Sequence, residues 1–438
     1  MNSDTIFALA SGAGRAAVAV MRVSGPDAAA ILTTLAGSLP RPREATLRRL
    51  RHPATGEVLD RALVLWFPGP RSYTGEDGVE FHLHGGSAVI AGVAEALAAT
   101  GARPAEPGEF TRRAFLHGKL DLTAAEGIAD LVEAETAAQR RQALRQAEGA
   151  LGTLYGAWTA RLTRLLARQE AFIEFEDEDL PADLDAQVEE QAAALRSEIL
   201  AHLADGGRGE RLREGLLVAI LGAPNAGKSS LLNALVGREA AIVSARAGTT
   251  RDVVEARLDL AGVPVTLADT AGLREAADEI EAEGVRRARR RGEEADLVLA
   301  VFAADRPPDA ETLAMIGPGV LVVANKCDLA PASEAIGGVV PLTVSARTGE
   351  GLEALRARLA EEAAARAGFG TAAPLTRPRH RAALQEAVDW LQVLPSAALP
   401  ELRAEALRAA LRAIGRITGQ VGVEAVLDVV FGEFCIGK

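Results

Sequence analysis

Several residue types are scarce in this sequence, and each scarcity excludes a class of protein. Only two cysteines, Cys327 and Cys435, occur in 438 residues, which argues against a disulfide framework and predicts a reducing, cytoplasmic location. The apolar runs are short, as at Leu216–Leu221, and no leader pattern follows Met1, so neither a membrane partner nor a signal peptide is predicted. The formal net charge of −12 argues against a protein that coats nucleic acid by charge alone.

Lysine is almost absent too, because arginine supplies nearly all of the 48 basic residues. The four lysines are Lys119, Lys228, Lys326 and Lys438. Each is a candidate for a position that needs a compact ammonium group rather than a planar guanidinium. Compositional drift is the alternative, and the neighbours of each lysine decide between the two.

The pattern of apolar and alanine-rich stretches indicates an α/β domain at residues 1–118. Apolar runs at Val18–Val23, Leu63–Phe67 and Val79–Leu83 predict strands, and the alanine-rich stretch Ala88–Thr100 predicts a helix. Glycine then becomes rare between about residues 121 and 205, where helical spacing predicts two or three long helices.

Residues 216–366 alternate five short apolar runs with helical stretches, which predicts a mainly parallel α/β sheet. The runs are Leu216–Leu221, Val263–Ala268, Leu297–Phe302, Val320–Ala324 and Val339–Val344. Glycine-rich linkers at Gly206–Gly209 and Gly368–Pro378 flank this part. From Arg379 onward the residue pattern again predicts helices. The predicted fold class is α/β plus all-α, with domain boundaries at 1–118, 119–210, 214–372 and 373–438.

A P-loop motif, Gly222-Ala-Pro-Asn-Ala-Gly-Lys228-Ser229, lies between a predicted strand and a predicted helix. Its backbone N–H groups and the helix N-terminus can surround phosphates. Lys228 would contact the β- and γ-phosphates, and the Ser229 hydroxyl would bind Mg²⁺. The predicted nucleotide contacts here are Asn225, Ala226, Gly227, Lys228, Ser229 and Ser230.

Further motifs follow in the order typical of G proteins. A first switch loop ends in Gly248-Thr249-Thr250, where Thr250 would supply a second Mg²⁺ ligand, and Asp269-Thr270-Ala271-Gly272 follows a strand. Asn325-Lys326-Cys327-Asp328 ends another strand, and Ser345-Ala346-Arg347 would close over the base. The Asp328 carboxylate can accept from N1–H and the 2-amino group of guanine, which selects GTP over ATP.

Leu273 follows the Asp-Thr-Ala-Gly motif, where Ras-like proteins have a glutamine that positions the attacking water. Leucine cannot hydrogen-bond to water, so hydrolysis needs another orienting group. The following helix carries five acidic residues: Glu275, Asp278, Glu279, Glu281 and Glu283. For most of them a solvated helix start is the simpler interpretation.

These motifs resemble those of Era-like GTPases, and the flanking sequence resembles the MnmE (TrmE) family of tRNA wobble-uridine modification GTPases. The flanking motifs are Met21–Pro26, Ser72–Asp77, His84–Gly86, Pro107–Thr111, Gly118–Leu122 and Phe434–Lys438. The resemblance implies an N-terminal folate-binding-like dimerisation domain and a helical domain made from two chain segments, with a Ras-like G domain inserted. It also implies a homodimer that acts with the flavoprotein MnmG, in a heterotetramer, on uridine 34 of tRNA.

The resemblance further implies a site for a tetrahydrofolate derivative, either 5-formyl- or 5,10-methylene-tetrahydrofolate. Its contacts would be Arg22, Glu80, Lys119 and Lys438, and Cys435 would be a catalytic thiol. Without the resemblance, surface ion pairing is the simpler interpretation of the four charged residues. A prenylation signal at Cys435 is the alternative for the tail, and the C-terminal lysine argues against it.

The family uses K⁺ in place of an arginine finger, and its orienting acid falls on Glu281. The K⁺ positions would be Asn225, Ser244, Arg246 and Thr249. The implied switch-loop contacts are Ser244, Ala245, Arg246, Ala247, Gly248, Thr249 and Thr250. Ser244 stands where threonine is usual and Arg246 where an apolar residue is usual. The rival hypothesis is an Era-like ribosome-assembly GTPase, a binding switch without substrate chemistry of its own.

Overall fold

The computed structural model describes most of the chain, in two compact units. The described residues are 4–12, 14–174, 184–240, 254–269, 295–367, 373–397, 399–421, 427, 430–432, 434 and 437. Unit 1 comprises Met1–Ala129, Arg145–Ala192 and Asp389–Lys438, and unit 2 comprises Asp130–Leu144 and Ala193–Val388. Across the described ranges, no helix has both the length and the apolar character that crossing a bilayer requires.

Unit 1 begins with a mixed sheet, in which the described strands are ordered β3-β4-β5-β2-β1-β6. The strands are β1 (Ile6–Leu9), β2 (Ala16–Ser24), β3 (Thr46–Arg51), β4 (Val58–Phe67), β5 (Gly78–Gly85) and β6 (Arg103–Pro104). Neighbouring strands are antiparallel except for the parallel pair β1 and β6. The three strands predicted in this part are confirmed within β2, β4 and β5.

The two faces of this sheet have different neighbours. Helices α1 (Ala28–Ala36) and α2 (Ser87–Ala99) pack on one face, and α2 confirms the predicted helix. Met21 and Phe81 point into that core. Arg22 and Glu80 lie on the opposite face, because successive side chains of a strand alternate. On that face Arg22 contacts Phe110 of α3 (Glu109–Leu116), whose ring centroid is 5.8 Å from the guanidinium carbon.

A run of helices follows: α4 (Leu122–Glu133), α5 (Ala137–Ala147), α6 (Ala150–Glu174), α7 (Leu184–Leu203) and α8 (Arg208–Glu214). Where the sequence predicts two or three long helices before residue 205, the structure has two long helices, α6 and α7, preceded by the shorter α4 and α5. Thr136 and Gln139 form a capping box that starts α5, since the Gln139 N–H donates to Thr136 Oγ1 and Gln139 Oε1 accepts from the Thr136 N–H at 3.1 Å. Gly149, with φ +87°, separates α5 from α6. The predicted linker Gly206–Gly209 extends too far, because α8 already begins at Arg208.

Unit 2 is built on a sheet whose described strands are ordered β12-β11-β10-β7-β9-β8. They are β7 (Leu216–Leu221), β8 (Val254–Leu260), β9 (Val263–Asp269), β10 (Leu297–Ala303), β11 (Val320–Asn325) and β12 (Leu342–Thr343). All pairs are parallel except β8 with β9, which confirms the predicted mainly parallel sheet. Strand β8 was not predicted.

In the second half, the α-helices formed by described residues are α9 (Lys228–Ala240), α10 (Ala310–Leu313), α11 (Leu352–Ala367), α12 (Pro378–Val393) and α13 (Pro400–Thr418). Within unit 1, α13 packs along α6. The predicted strand Val339–Val344 was too long, because a turn through Gly337 and Gly338 bonds Ile336 N–H to Val339 O. The predicted linker Gly368–Pro378 is also wrong at its described end, since Leu375 is fully buried and Pro378 begins α12.

Candidate functional site

The P-loop joins the end of β7 to the start of α9, and its backbone leaves no room for a side chain at Gly227. Gly227 has φ +88°, and a Cβ there would lie 2.4 Å from Asn325 Nδ2. Asn225 also adopts the left-handed conformation, with φ +64°, and its side chain is exposed. Ser229 and Ser230 are exposed on the first turn of α9. The helix N-terminus and the adjacent N–H groups therefore form the anion-binding arrangement that the motif predicts.

Lys228 is held inside this loop. It is only 6% exposed, and its Nζ donates hydrogen bonds to the carbonyl oxygens of Gly222 at 2.7 Å and Ala223 at 3.0 Å. The ammonium group is thus directed across the loop that would hold the phosphates.

Asn325 connects the P-loop to the base-recognition loop. Its side chain is 1% exposed and donates from Nδ2 to Ala226 O at 3.0 Å, while its Oδ1 accepts from the Ala346 N–H at 3.1 Å. A buried amide that is satisfied on both sides fixes the spacing between the two loops. The structure therefore brings together three predicted segments: Asn225–Ser230, Asn325–Asp328 and Ser345–Arg347.

Asp328 is held as an acceptor beside these loops. Ser345 Oγ donates to its Oδ1 at 2.6 Å, and Arg347 Nε donates to its Oδ2 at 2.8 Å. The hydrogen bond from Ser345, followed by that from Arg347, lowers the pKa of Asp328 below its usual value. The carboxylate is therefore ionised at neutral pH, as recognition of two guanine donors requires. Lys326 has φ +66° and pairs with Asp305 at 3.4 Å.

The remaining predicted nucleotide residues lie outside the described residues or are described only in part. Only the main chain of Asp269 is described, at the end of β9 opposite Ile220 of β7. Outside the described residues lie Ser244, Ala245, Arg246, Ala247, Gly248, Thr249, Thr250, Thr270, Ala271, Gly272, Glu281, Cys435 and Lys438.

Replacing Gly227 by alanine should abolish nucleotide binding without unfolding the chain. The new methyl group would displace the Asn325 amide, and a non-glycine residue at this positive φ costs about 1 kcal/mol or more. Binding of a fluorescent guanine nucleotide measures the effect. Gly349→Ala is the matched control, since Gly349 also has a positive φ of +87° but no heavy atom within 4 Å of the place that its methyl group would take. Nucleotide affinity equal to that of the parent would contradict this geometry.

A second candidate site is a cavity of about 350 Å³ in the N-terminal part of unit 1. Arg22 and Glu80 face each other across β2 and β5, and Arg22 Nη2 lies 2.9 Å from Glu80 Oε1. The Arg22 guanidinium also stacks on Tyr73, with 5.4 Å to the ring centroid, and His82 Nε2 lies 3.3 Å from Glu80 Oε2. Charged groups thus meet aromatic walls in one concave site, which is typical of small-ligand sites.

Lys119 reaches the same region from outside the cavity lining. Its Nζ donates to Pro70 O at 2.9 Å, in the loop that also carries Tyr73. Sequence reasoning missed Arg43 and Arg71, which also line the cavity. Arg43 stands alone in a turn with no motif around it, so nothing in the sequence indicated it.

A P-loop at a strand end, coupled through a buried asparagine to a guanine-type recognition loop, defines a guanine-nucleotide-binding protein of the P-loop class. Its G domain is combined with an N-terminal mixed sheet and with long helices.

Comparison with known proteins identifies the family. The profile described as MnmE helical domain matches residues 122–435, and the one described as GTP-binding protein TrmE N-terminus matches residues 5–119. The chain belongs to the MnmE family.

Full-length relatives carry the same family name. A tRNA modification GTPase MnmE of Gluconacetobacter diazotrophicus is 60% identical over 436 residues, covering 99% of this chain and 98% of that protein. One of Granulibacter bethesdensis is 56% identical over 443 residues and covers 100% of both. Among solved structures, the G domain of the T. maritima FeoB iron transporter is 28% identical, and the match covers 34% of this chain and 98% of that one with a TM-score of 0.27.

Proposed function

We propose that this chain is a Mg²⁺-dependent, K⁺-stimulated GTP hydrolase that acts in modifying the wobble uridine of certain tRNAs. With the flavoprotein MnmG it would add an aminomethyl or carboxymethylaminomethyl group at carbon 5, using a one-carbon unit from a tetrahydrofolate derivative. The name shared by its relatives supports the tRNA reaction. The observation that carries the GTPase assignment is the buried Asn325 amide, which joins the P-loop to the loop beside Asp328.

Nucleoside analysis tests the proposal most directly. Cells lacking this protein should lose the modified wobble uridine, and a plasmid copy of the unmodified gene should restore it. A copy carrying Asp328→Asn should restore less. Unchanged wobble uridines in cells without the protein would overturn the assignment.

The residues that would hold nucleotide and metal fit their roles. Lys228 points across the P-loop, and Ser229 presents its hydroxyl on the first turn of α9. Ser229 and Thr250 would bind Mg²⁺, which neutralises phosphate charge when bound. The exposed amide of Asn225 suits a hard cation such as K⁺, together with Ser244, Arg246 and Thr249. Glu281 would orient the attacking water, because Leu273 cannot.

The cavity in unit 1 fits a reduced pterin. Glu80 can accept from the ring N–H and amino donors, Arg22 can donate to the ring oxygen, and Tyr73 and Phe110 supply apolar walls. A 5-formyl- or 5,10-methylene-tetrahydrofolate bound there would supply the one-carbon unit. Lys119 would contribute from the adjacent loop, and Lys438 and Cys435 from the chain terminus. The position of Gly437 supports this, because a Cβ there would lie 2.3 Å from Leu9 O in β1, the strand next to β2.

Partners and domains complete the proposal. A homodimer through the N-terminal domain would bind MnmG in a heterotetramer and tRNA as substrate. The domain division 1–118, 119–210, 214–372 and 373–438 is proposed with it, the two helical segments forming one domain around the inserted G domain.

Replacing Glu80 by glutamine should weaken binding of 5-formyl-tetrahydrofolate by about 10-fold or more. The amide offers a donor to the ligand's own donors and leaves Arg22 without its ionic partner. Isothermal titration measures the affinity, and Glu57→Gln, an exposed carboxylate at the edge of β4, is the control. GTP affinity should not change. If the variant binds the folate as tightly as the parent, the assignment of Glu80 to the folate site is wrong.

A further inference from the structure

The cavity in unit 1 carries more positive charge than its one carboxylate can balance. Its charged lining residues are Arg22, Arg43, Arg71 and Glu80. Glu80 is already paired with Arg22. Among the described residues, no carboxylate lies within ion-pair distance of Arg43 or Arg71, so no described carboxylate balances these two guanidinium groups beside the cavity.

These two arginines lie at the mouth of the cavity. Both are exposed, whereas the lining residues Val79 and Phe110 are fully buried. Arg43 adopts φ +64° and stacks on Phe67, with 5.5 Å between its guanidinium carbon and the ring centroid. It also donates from Nη2 to the main-chain oxygen of Arg71, which ties the two residues together.

A third cation is near this mouth. Exposed Lys119 donates to the carbonyl of Pro70, the residue that precedes Arg71. The two ends of the cavity therefore differ in charge: the acceptor Glu80 is partly buried on β5 beside Arg22, whereas Arg43, Arg71 and Lys119 are exposed cations. A ligand that matches it has ring donors at one end and carboxylates at the other.

We infer that Arg43 and Arg71 form a carboxylate subsite for the glutamate tail of the folate, so that polyglutamylated reduced folates bind more tightly than shorter ones. The inference rests on the proposed folate function. Guanidinium groups bind carboxylates through paired N–H donors, and each added glutamate brings another carboxylate to the cations. Arg22 is paired with Glu80, so it would contact the pterin ring and not the glutamate tail.

Titration with three ligands tests the subsite: the 5-formyl derivative of tetrahydropteroate, which lacks glutamate and is called tetrahydropteroate below, and the mono- and triglutamate forms of 5-formyl-tetrahydrofolate. In the unmodified chain the triglutamate should bind about 10-fold or more tightly than tetrahydropteroate. Arg43→Gln combined with Arg71→Gln should remove most of that difference and leave tetrahydropteroate binding unchanged. Arg49→Gln, on an exposed arginine of β3 outside the cavity, should preserve it.

The possible outcomes separate the subsite from the folate function. Tetrahydropteroate binding without any gain from the tail would overturn the subsite alone. The subsite would also be overturned if the Arg43→Gln, Arg71→Gln double variant still binds the triglutamate form more tightly than tetrahydropteroate. Competition by inorganic phosphate as strong as that by triglutamate peptide would also overturn it, because the cations would then be a general oxyanion site. If none of the three ligands binds, both the proposed folate-binding function and the subsite are wrong.

Discussion

The Asp328→Asn variant should bind GTP roughly 30- to 1,000-fold more weakly than the unmodified chain. Asp328 is an ionised acceptor, set by Ser345 Oγ at 2.6 Å and Arg347 Nε at 2.8 Å. An asparagine would turn one oxygen into an amide donor, which would face the N1–H and amino donors of guanine and the guanidinium of Arg347. A charge-assisted acceptor pair would thus be replaced by a repulsive contact.

Xanthosine triphosphate makes this test specific. Its C2 carbonyl accepts a hydrogen bond where guanine donates one, so the Asp328→Asn variant should prefer it to GTP. Asp305→Asn, which removes the carboxylate paired with Lys326, is the matched control and should keep the preference for GTP. Equilibrium competition against a fluorescent GDP analogue gives the affinities of the unmodified chain and of both variants for both nucleotides. Unchanged GTP affinity in Asp328→Asn would refute the assignment of the guanine site.

The G domain could be predicted because its chemistry is local in sequence. The P-loop needs glycines at fixed spacing, and a backbone with φ +88° that would bring a methyl group within 2.4 Å of Asn325 tolerates little else at Gly227. Asp328 is predicted to read guanine because it lies in the loop that begins where β11 ends at Asn325, at the edge where the carboxyl ends of parallel strands meet. The residues of this site could be predicted from the sequence because each motif is a continuous stretch of the chain.

The cavity in unit 1 could not be predicted in the same way. Arg22 and Glu80 are 58 positions apart and meet only because β2 pairs with β5 in the register Arg22 to Glu80. The resemblance named both, but Arg43 and Arg71 belong to no motif and enter through tertiary folding alone. The break between α4 and α5 was missed for a different reason: a local side-chain capping box, Thr136 with Gln139, interrupts an otherwise continuous helical pattern.

Hydrolysis should depend on Asn225 and Glu281 in different ways. Arginine fingers accelerate hydrolysis by about 10³–10⁵ in other GTPases, and K⁺ held with the help of Asn225 would supply comparable charge here. Asn225 has φ +64°, so Asn225→Ala would mix loss of the amide with backbone strain of about 1 kcal/mol.

Asn225→Gly is therefore the sharper variant, because glycine accepts this conformation without strain. It should lose K⁺ stimulation and keep GTP affinity. Glu281→Ala should lose hydrolysis in either salt and still bind a transition-state mimic more tightly in K⁺ than in Na⁺, since the water is oriented by the acid and not by the cation. GTPase rates in K⁺ and Na⁺, with nucleotide affinity measured alongside, separate the two roles. Equal rates in both salts for the unmodified chain would exclude the cation mechanism, and full activity of Glu281→Ala would move the water-orienting role to a neighbouring acid such as Asp278 or Glu279.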